Sequence, residues 1–160
     1  MTIKVGDRIP SAKLVQVTAD GAREVATEEI FAGKTVVLFA VPGAFTPTCS
    51  IKHLPGFLQH LDALRAKGVD AVACMAVNDQ FVLEAWAKSQ NALDKIIFLA
   101  DGSGLFTRAL GLEFDLTARG LGIRAQRFAM VVKDGVVTHL GVEEPGGFEH
   151  SKAEAVLAAL

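Results

Sequence analysis

The chain has 160 residues, 51% of them hydrophobic, and a formal net charge of −2 at pH 7. Since domains most often contain about 100–150 residues, we predict a single domain spanning residues 1–160. No segment is strongly basic, so the charge pattern excludes a phosphate-binding surface for nucleic acid. The two cysteines, Cys49 and Cys74, are too few for a disulfide scaffold, and their spacing matches no zinc site.

The chain shows no targeting or membrane-spanning signal. Its first residues lack the apolar segment and the small-residue cleavage site of a secretory leader. The longest apolar runs, such as Val69–Val77, reach about half of the ~20 residues that a membrane span needs. We therefore expect a protein that makes no contact with a membrane and resides in the cytoplasm.

The N-terminal half predicts a hairpin, then a strand and a helix. The turn-forming pair Asp20-Gly21 separates two short strand-like runs, Lys13–Val17 and Arg23–Val25. The apolar, β-branched run Thr35–Val41 predicts a buried strand. Apolar residues then recur at helical spacing and predict one helix ending at Lys67-Gly68: Leu54, Phe57, Leu58, Leu61 and Leu64.

The C-terminal part continues the alternation. Asn78-Asp79 can cap the helix that follows it, Asp134-Gly135 is a strong hairpin signal, and Ser151 is a candidate cap for a final helix. The predicted elements are a strand at Val69–Val77, a helix from Asn78-Asp79 to about Lys88, a strand at Ile96–Ala100, a helix near Leu105–Leu110, and hairpin strands at Phe128–Lys133 and Val136–Leu140.

These elements together predict the fold class. Their order is βαβαβα, followed by a β-hairpin and a helix. Such an alternation forms an α/β fold with a central mixed sheet flanked by helices, because the crossovers place helices on both faces. With the N-terminal β-hairpin as an extension, this is the layout of a thioredoxin-like fold.

The segment between the first buried strand and the following helix contains the most informative cysteine. Pro47 suits the first turn of a helix, where its missing N–H has no cost. Cys49 would then lie among free backbone N–H groups at the positive end of the helix dipole. That setting favours a reactive thiolate, although position alone is equally compatible with a buried, inert cysteine.

Thr46 precedes Cys49 by three residues, the spacing of a Cys-x-x-Cys pair in which the first sulfur is replaced by a hydroxyl. A hydroxyl forms no disulfide, but it can donate to a thiolate or accept from a bound peroxide. It can equally cap the helix. Pro42 and Pro47 would stiffen this loop and shield one side of the sulfur.

Attack of a thiolate on an O–O bond places negative charge on the departing oxygen, which a nearby cation stabilises. Two arginines are candidates: Arg127, at the start of the predicted strand Phe128–Lys133, and Arg124, three residues earlier. In a sheet of the predicted order, this strand lies near the strand that precedes Cys49. Position alone leaves a surface ion pair as the simpler role of Arg127.

The pattern Pro42-x-x-x-Thr46-x-x-Cys49 resembles the signature of the peroxiredoxins, and the segment PGAFTPTCS is similar to the peroxiredoxin 5 (type II) subgroup. The resemblance extends to RFAMVVKDGVV from Arg127 and to the closing VEEPGGFEHS. It implies a thiol peroxidase without a cofactor, in which Cys49 attacks the peroxide, Thr46 binds it, Arg127 activates both and Pro42 shields the site. It also implies a homodimer that packs beside the active site.

The reductant of the oxidised cysteine is inferred from where the chain has sulfur. Some relatives carry a resolving cysteine near the C-terminus, where this chain has Gly146–Ser151 without sulfur. Cys74 lies in a predicted buried strand, where free cysteines commonly act as small apolar residues. We therefore expect an external thiol to reduce the Cys49 sulfenic acid. The resemblance implies glutathione with glutaredoxin, rather than thioredoxin, as this reductant.

Three other functions use the same cysteine. A peroxide sensor would pass its oxidation to a partner protein, and a thiol–disulfide oxidoreductase would need a second cysteine at position 46. A cysteine hydrolase would need a histidine base, for which His53 is the only local candidate. The four histidines are scattered, so no metal site is expected. Gly120–Ala125 follows no βαβ strand and is not a dinucleotide loop, and Trp86 and Phe81 are assigned to the core.

Overall fold

A seven-stranded mixed sheet forms the centre of the molecule in the computed structural model, which describes residues 1–160. The strands are β1 (Lys13–Thr18), β2 (Gly21–Ala26), β3 (Thr35–Ala40), β4 (Ala71–Ala76), β5 (Ile97–Ala100), β6 (Glu113–Leu116), β7 (Gly122–Ala125), β8 (Phe128–Lys133) and β9 (Val136–Val142). The helices are α1 (Thr27–Phe31), α2 (Leu54–Gln59), α3 (Leu61–Ala66), α4 (Gln80–Ser89), α5 (Leu105–Leu110) and α6 (Ala153–Ala159).

The strand order of the large sheet is β2-β1-β5-β4-β3-β8-β9, and β6 and β7 pair separately. Strands β3, β4 and β5 are parallel, and the hairpins β1–β2 and β8–β9 join their two sides antiparallel. The predicted thioredoxin-like α/β fold with a mixed sheet is therefore confirmed. The N-terminal hairpin extends the edge of this sheet.

Strand β3 is buried on both faces because its side chains alternate between two cores. Val37 and Phe39 belong to one cluster, and Val36 and Leu38 belong to the other, each without exposed surface. This explains why the strand is a continuous apolar run rather than an alternating one. Cys49 lies in the same cluster as Val37 and Phe39.

The helix predicted after β3 departs from regular α-helical geometry at two places. After Pro47 and Thr48 it passes through a π-helical turn, Cys49–His53, in which the N–H of Leu54 donates to the carbonyl of Cys49. It then breaks at His60, where the backbone leaves helical geometry with φ −104° and ψ 9° between α2 and α3. The apolar spacing is preserved across the break, which is why the sequence predicts one continuous helix.

The structure corrects two predicted positions. Ser151 does not cap α6; it is buried, and its hydroxyl donates to Glu143 at 2.6 Å, because a carboxylate is a stronger acceptor than the groups at the helix end. Phe81 is 74% exposed, whereas Trp86 is fully buried. Five residues of helix correspond to about 140° of rotation, so these two side chains of α4 point in different directions.

Three short elements have no counterpart in the predicted set. Helix α1 has only five residues, and β6 and β7 have four each. Helix α1 is too short to show a helical period, although three of its residues are buried, and most side chains of β6 and β7 are exposed or half-buried, so neither gives the apolar periodicity from which an element is recognised. No helix is both long and apolar enough to cross a membrane.

Asp79 caps α4, as the sequence predicts: its carboxylate accepts from the N–H of Val82 at 2.9 Å. We expect Asp79→Ala to lower the free energy of unfolding by about 0.5–2 kcal/mol, measured by urea denaturation. Asp62→Ala is the matched control, because the Asp62 side chain is fully exposed and has only a surface ion pair at 3.8 Å. Equal losses in both variants would contradict a capping role.

Candidate active site

Cys49 lies where the sequence predicts it, in the first turn of the helix that follows β3. The helix begins at Pro47, and the N–H of Ser50 donates to the carbonyl of Thr46 at 3.0 Å. Cys49 has no exposed surface. The adjacent Ser50 accepts a hydrogen bond from the indole N–H of Trp86 at 3.0 Å, which fixes the turn against α4.

Arg127 reaches this cysteine because β8 pairs with β3. The antiparallel register places Phe128 opposite Ala40, the last residue of β3, so Arg127 stands where β3 ends. Its Nη2 donates to Cys49 Sγ at 3.1 Å. The half-buried guanidinium thus supplies a positive charge and a hydrogen-bond donor to the sulfur.

Arg124, the other candidate cation, has a different role. Its Nε donates to the carbonyl of Leu121 at 2.8 Å, and its Nη1 donates to the carbonyl of Pro42 at 3.4 Å. It forms no hydrogen bond with Cys49. Arg124 therefore supports the loop in front of the helix, whereas Arg127 contacts the sulfur.

The hydroxyl of Thr46 is oriented by the loop. Thr46 Oγ1 donates its hydrogen to the carbonyl of Gly43 at 2.6 Å, which leaves the lone pairs of Oγ1 available. Of the three roles predicted for this hydroxyl, namely donor to the thiolate, acceptor from a peroxide and helix cap, the geometry favours accepting a hydrogen bond from a bound molecule. A side chain at Gly43 would be crowded here, since a Cβ would lie 3.2 Å from Thr46 Cγ2 and 3.1 Å from Arg124 Nη1.

His53 is a site residue that the sequence analysis did not assign to this role. Its Nε2 lies 2.9 Å from the carbonyl of Ser151, and its Nδ1 lies 2.9 Å from Arg127 Nη1. A carbonyl only accepts, so Nε2 carries the hydrogen and Nδ1 accepts from the guanidinium. The spacing of four residues from Cys49, which places both side chains on one helix face, was the signal available in the sequence.

His53 is neutral in this environment. Burial, reinforced by the positive charge of Arg127, lowers the pKa of His53 to about 3. A protonated ring would have no lone pair at Nδ1 and would repel the guanidinium. The neutral ring is therefore required for the contact that holds Arg127.

A buried carboxylate holds the segment that anchors His53. Glu143 Oε2 accepts from the backbone N–H groups of Glu149, His150 and Ser151, each at 2.8 Å, and from the Ser151 hydroxyl. Burial raises the pKa of Glu143, but these hydrogen bonds outweigh it and hold the pKa below its usual value. The carboxylate thus fixes the carbonyl of Ser151 to which His53 donates.

Cys74 is a protonated thiol in the core. It lies in the middle of β4, opposite Phe39 of β3, and has no exposed surface. Burial, followed by the influence of Cys49, raises the pKa of Cys74 well above its usual value. Both cysteines are free.

A cleft of about 570 Å³ opens beside the sulfur. Its lining includes Pro42, Thr46 and Arg127, so the structure brings all three residues predicted to assist Cys49 to one place. The hairpin β6–β7 and the loop at residues 143–147 form further parts of the wall. A molecule in this cleft can contact a threonine acceptor and the arginine that binds the sulfur.

The chain matches the Redoxin family over residues 4–157. It is 47% identical to peroxiredoxin-2E of Arabidopsis thaliana and 52% identical to peroxiredoxin-2E-2 of Oryza sativa, over 99% of this chain and 70% and 73% of theirs. Among solved structures, reduced Prx3 of Vibrio vulnificus in complex with hydrogen peroxide is 54% identical, with a TM-score of 0.94 over 99% of both chains.

The predicted cytoplasmic location is contradicted by these relatives, because both plant proteins are chloroplastic. The prediction rested on the lack of an apolar leader, which concerns only the secretory route. Segments that direct proteins to plastids are rich in serine and arginine and have no comparable apolar core. The absence of an apolar leader therefore does not indicate the cytoplasm.

The fold, the geometry of the site and the similarity to known proteins all indicate the same family. The thioredoxin-like sheet places a cysteine at a helix N-terminus beside an arginine, and the similarity to known peroxiredoxins covers nearly the whole chain. These observations also bear out the family resemblance of the Pro-Thr-Cys signature. The chain belongs to the peroxiredoxin family and is a thiol-dependent peroxidase.

Proposed function

We propose that Cys49 is the peroxidatic residue and that the chain belongs to the type II subgroup, which includes peroxiredoxin 5. In this proposal, residues 1–160 act as one domain that reduces hydrogen peroxide and organic hydroperoxides to water and alcohols. The observation that carries it is the hydrogen bond of 3.1 Å from Arg127 Nη2 to Cys49 Sγ. No other cysteine of the chain lies beside a cationic donor.

The chemical step follows from the positions of the donors and acceptors. The Cys49 thiolate attacks one peroxide oxygen, the O–O bond breaks, and the cysteine becomes a sulfenic acid. The other oxygen leaves as water or alcohol after taking a proton. Arg127 stabilises the thiolate and then the negative charge on the departing oxygen, Thr46 accepts a hydrogen bond from the peroxide, and Pro42 shields the cleft.

His53 contributes by holding Arg127 in place. Of the guanidinium donors, Nη1 is bound to His53 and Nη2 faces the sulfur. The neutral ring accepts a hydrogen bond from the guanidinium and carries no charge of its own. The positive charge of Arg127 is therefore available to Cys49 and to the peroxide. This occupied Nδ1 also argues against a cysteine hydrolase, which would need His53 as the base for Cys49.

An external thiol is the proposed reductant of the sulfenic acid. Cys74 is a buried thiol whose pKa lies well above its usual value, so it is not the thiolate needed to attack a sulfenic acid. The segment Gly146–Ser151 offers no sulfur. We favour glutathione with glutaredoxin over thioredoxin, since a one-cysteine cycle leaves a single sulfur to be reduced.

A second copy of the chain is the proposed partner of the surface beside the site. Three large apolar side chains are exposed, two on the segments that flank Cys49 and one at the start of α4. Phe45 is 56% exposed, Ile51 is 71% exposed and Phe81 is 74% exposed. The side chain of Asn78 accepts from the N–H of Ala44, which holds the start of α4 against the Phe45 loop. Burying such side chains against each other favours a homodimer.

We expect Cys49→Ser to have no peroxidase turnover and Cys74→Ala to retain it. A peroxide pulse on the reduced protein, followed by dimedone and peptide mass analysis, should label Cys49 and leave Cys74 free. Dimedone reports the sulfenic acid itself, so it identifies the attacking sulfur directly. Full activity in Cys49→Ser, or labelling at Cys74 alone, would refute the assignment.

We expect Arg127→Ala and Thr46→Val each to reduce the rate of Cys49 oxidation by about 10²–10³, as the loss of one charge-stabilising group does. Arg124→Ala is the control, since this arginine lies nearby but does not contact the sulfur. Its loss should be much smaller in the same stopped-flow measurement. Similar losses for both arginines would show that general positive charge, rather than the Arg127 contact, is responsible.

The neutral state of His53 predicts a pH-dependent stability. Its pKa is about 3 in the folded chain and about 6.5 when unfolded, so between these values only the unfolded chain binds the proton. The free energy of unfolding should therefore fall as the pH drops, by about 2–3 kcal/mol between pH 7 and pH 4.5 from this group.

His53→Gln separates this contribution from that of the acidic side chains. Glutamine can accept from Arg127 and donate to the Ser151 carbonyl, but it does not titrate. We expect a flatter decline of unfolding free energy in this variant, measured by urea denaturation at both pH values. Identical slopes in the two proteins would mean that His53 does not change its protonation on unfolding.

A further inference from the structure

The cleft beside Cys49 is much larger than a peroxide requires. Its volume of about 570 Å³ lies within the range of about 300–1,000 Å³ in which proteins bind small organic molecules. Thr46 and Arg127 account for one end of the lining. The remainder has features that the peroxide step does not use.

Arg119 is one of these features. It ends the short 3₁₀ turn Thr117–Arg119 between β6 and β7, lines the cleft and is exposed. The six other arginines of the chain each bind a carboxylate, a carbonyl or a side chain of the active site: Arg8, Arg23, Arg65, Arg108, Arg124 and Arg127. Arg119 has no such partner within the protein.

Glu144 supplies an unpaired negative charge to the same cleft. The neighbouring Glu143 is occupied by the 149–151 segment, whereas the Glu144 carboxylate has no hydrogen-bond or ion-pair partner. Its backbone is fixed by a turn in which the N–H of Gly147 donates to the Glu144 carbonyl at 2.8 Å. Gly146, with φ +81°, suits the third position of this turn.

Apolar side chains line the same cleft as these two charged residues. Phe114, Leu116 and Leu121 line the cleft from the β6–β7 hairpin. Arg119 and Glu144 do not pair with each other, so both can interact with a ligand. A cation donor and an anion acceptor at one apolar cleft are complementary to a zwitterion, with a carboxylate for Arg119 and an ammonium for Glu144.

We propose that Arg119 and Glu144 bind the α-amino-acid end of a γ-glutamyl thiol, such as glutathione, and so select the reductant of Cys49. This inference rests on the proposed one-cysteine cycle. The Cys49 sulfenic acid condenses with the thiol, an S–S bond forms, the S–O bond breaks and water leaves. A second thiol then attacks the sulfur from the reductant, releases its disulfide and returns Cys49 to the thiolate, with the remaining proton lost to solvent.

The test measures the reductive step separately from the oxidation of Cys49. Protein oxidised with one equivalent of hydrogen peroxide is mixed with glutathione or with 2-mercaptoethanol, an uncharged thiol, and the rate constant is recorded by stopped flow. The readout is the ratio of the two rate constants. We expect this ratio to fall roughly tenfold in Arg119→Gln and in Glu144→Gln, since each removes one charge-assisted hydrogen bond.

The sign of the Glu144→Gln effect is decisive. Glutathione carries a net negative charge, so general electrostatic attraction would make removal of Glu144 raise the ratio. A rise, or an unchanged ratio in Arg119→Gln, would overturn the proposal. So would an effect confined to the oxidation of Cys49, because it would assign the two residues to the hydroperoxide.

Arg108→Gln is the matched control, since it removes the same charge near the hairpin from an exposed pair with Glu113 outside the cleft. Its ratio should equal that of the wild type. Failure of the proposed function would look different: the unmodified protein would show no sulfenic acid at Cys49, or no reduction by either thiol. The two hypotheses are therefore tested independently.

Discussion

The hydrogen bond between Arg127 and Cys49 is the contact on which the rest of the site depends, and it exists because two strands pair in one register. The two residues are 78 positions apart and meet at 3.1 Å. The loop after strand β3 leads into the helix that carries the cysteine. Strand β8 pairs with β3, and Arg127 lies just before the first residue of β8. A slip of one residue would turn the arginine to the opposite face of the sheet.

The guanidinium is in turn fixed by a relay of buried polar groups. Glu143 gathers three backbone N–H groups, the carbonyl of Ser151 receives the hydrogen of His53, and His53 accepts from Arg127. Both ring nitrogens of His53 and the Oε2 oxygen of Glu143 are paired, which buried polar groups require if they are not to destabilise the fold. The relay requires an ionised Glu143 and a neutral His53. The geometry of the site therefore depends on pH.

The features predicted correctly from the sequence are those that depend on residues close together in the chain. The buried run at Thr35–Val41, the cap at Asp79 and the position of Cys49 at a helix start all follow from local pattern. Contacts between residues far apart in the chain were not predicted. Arg124 lies in β7 of the small sheet and Arg127 lies just before β8 of the large sheet, and only Arg127 reaches Cys49. Ser151 stands at a cap-like position in the sequence but binds Glu143 instead. The β6–β7 hairpin was missed because its short strands bury few side chains and leave no periodic apolar signal.

The hydrogen bond from Trp86 to Ser50 has an optical consequence. Trp86 is the only tryptophan of the chain, is fully buried, and touches the residue next to the reactive sulfur. Any movement of the π-helical turn during catalysis alters the surroundings of this one indole. The protein therefore contains its own fluorophore beside the sulfur, and the redox state of Cys49 can be followed by emission without a label.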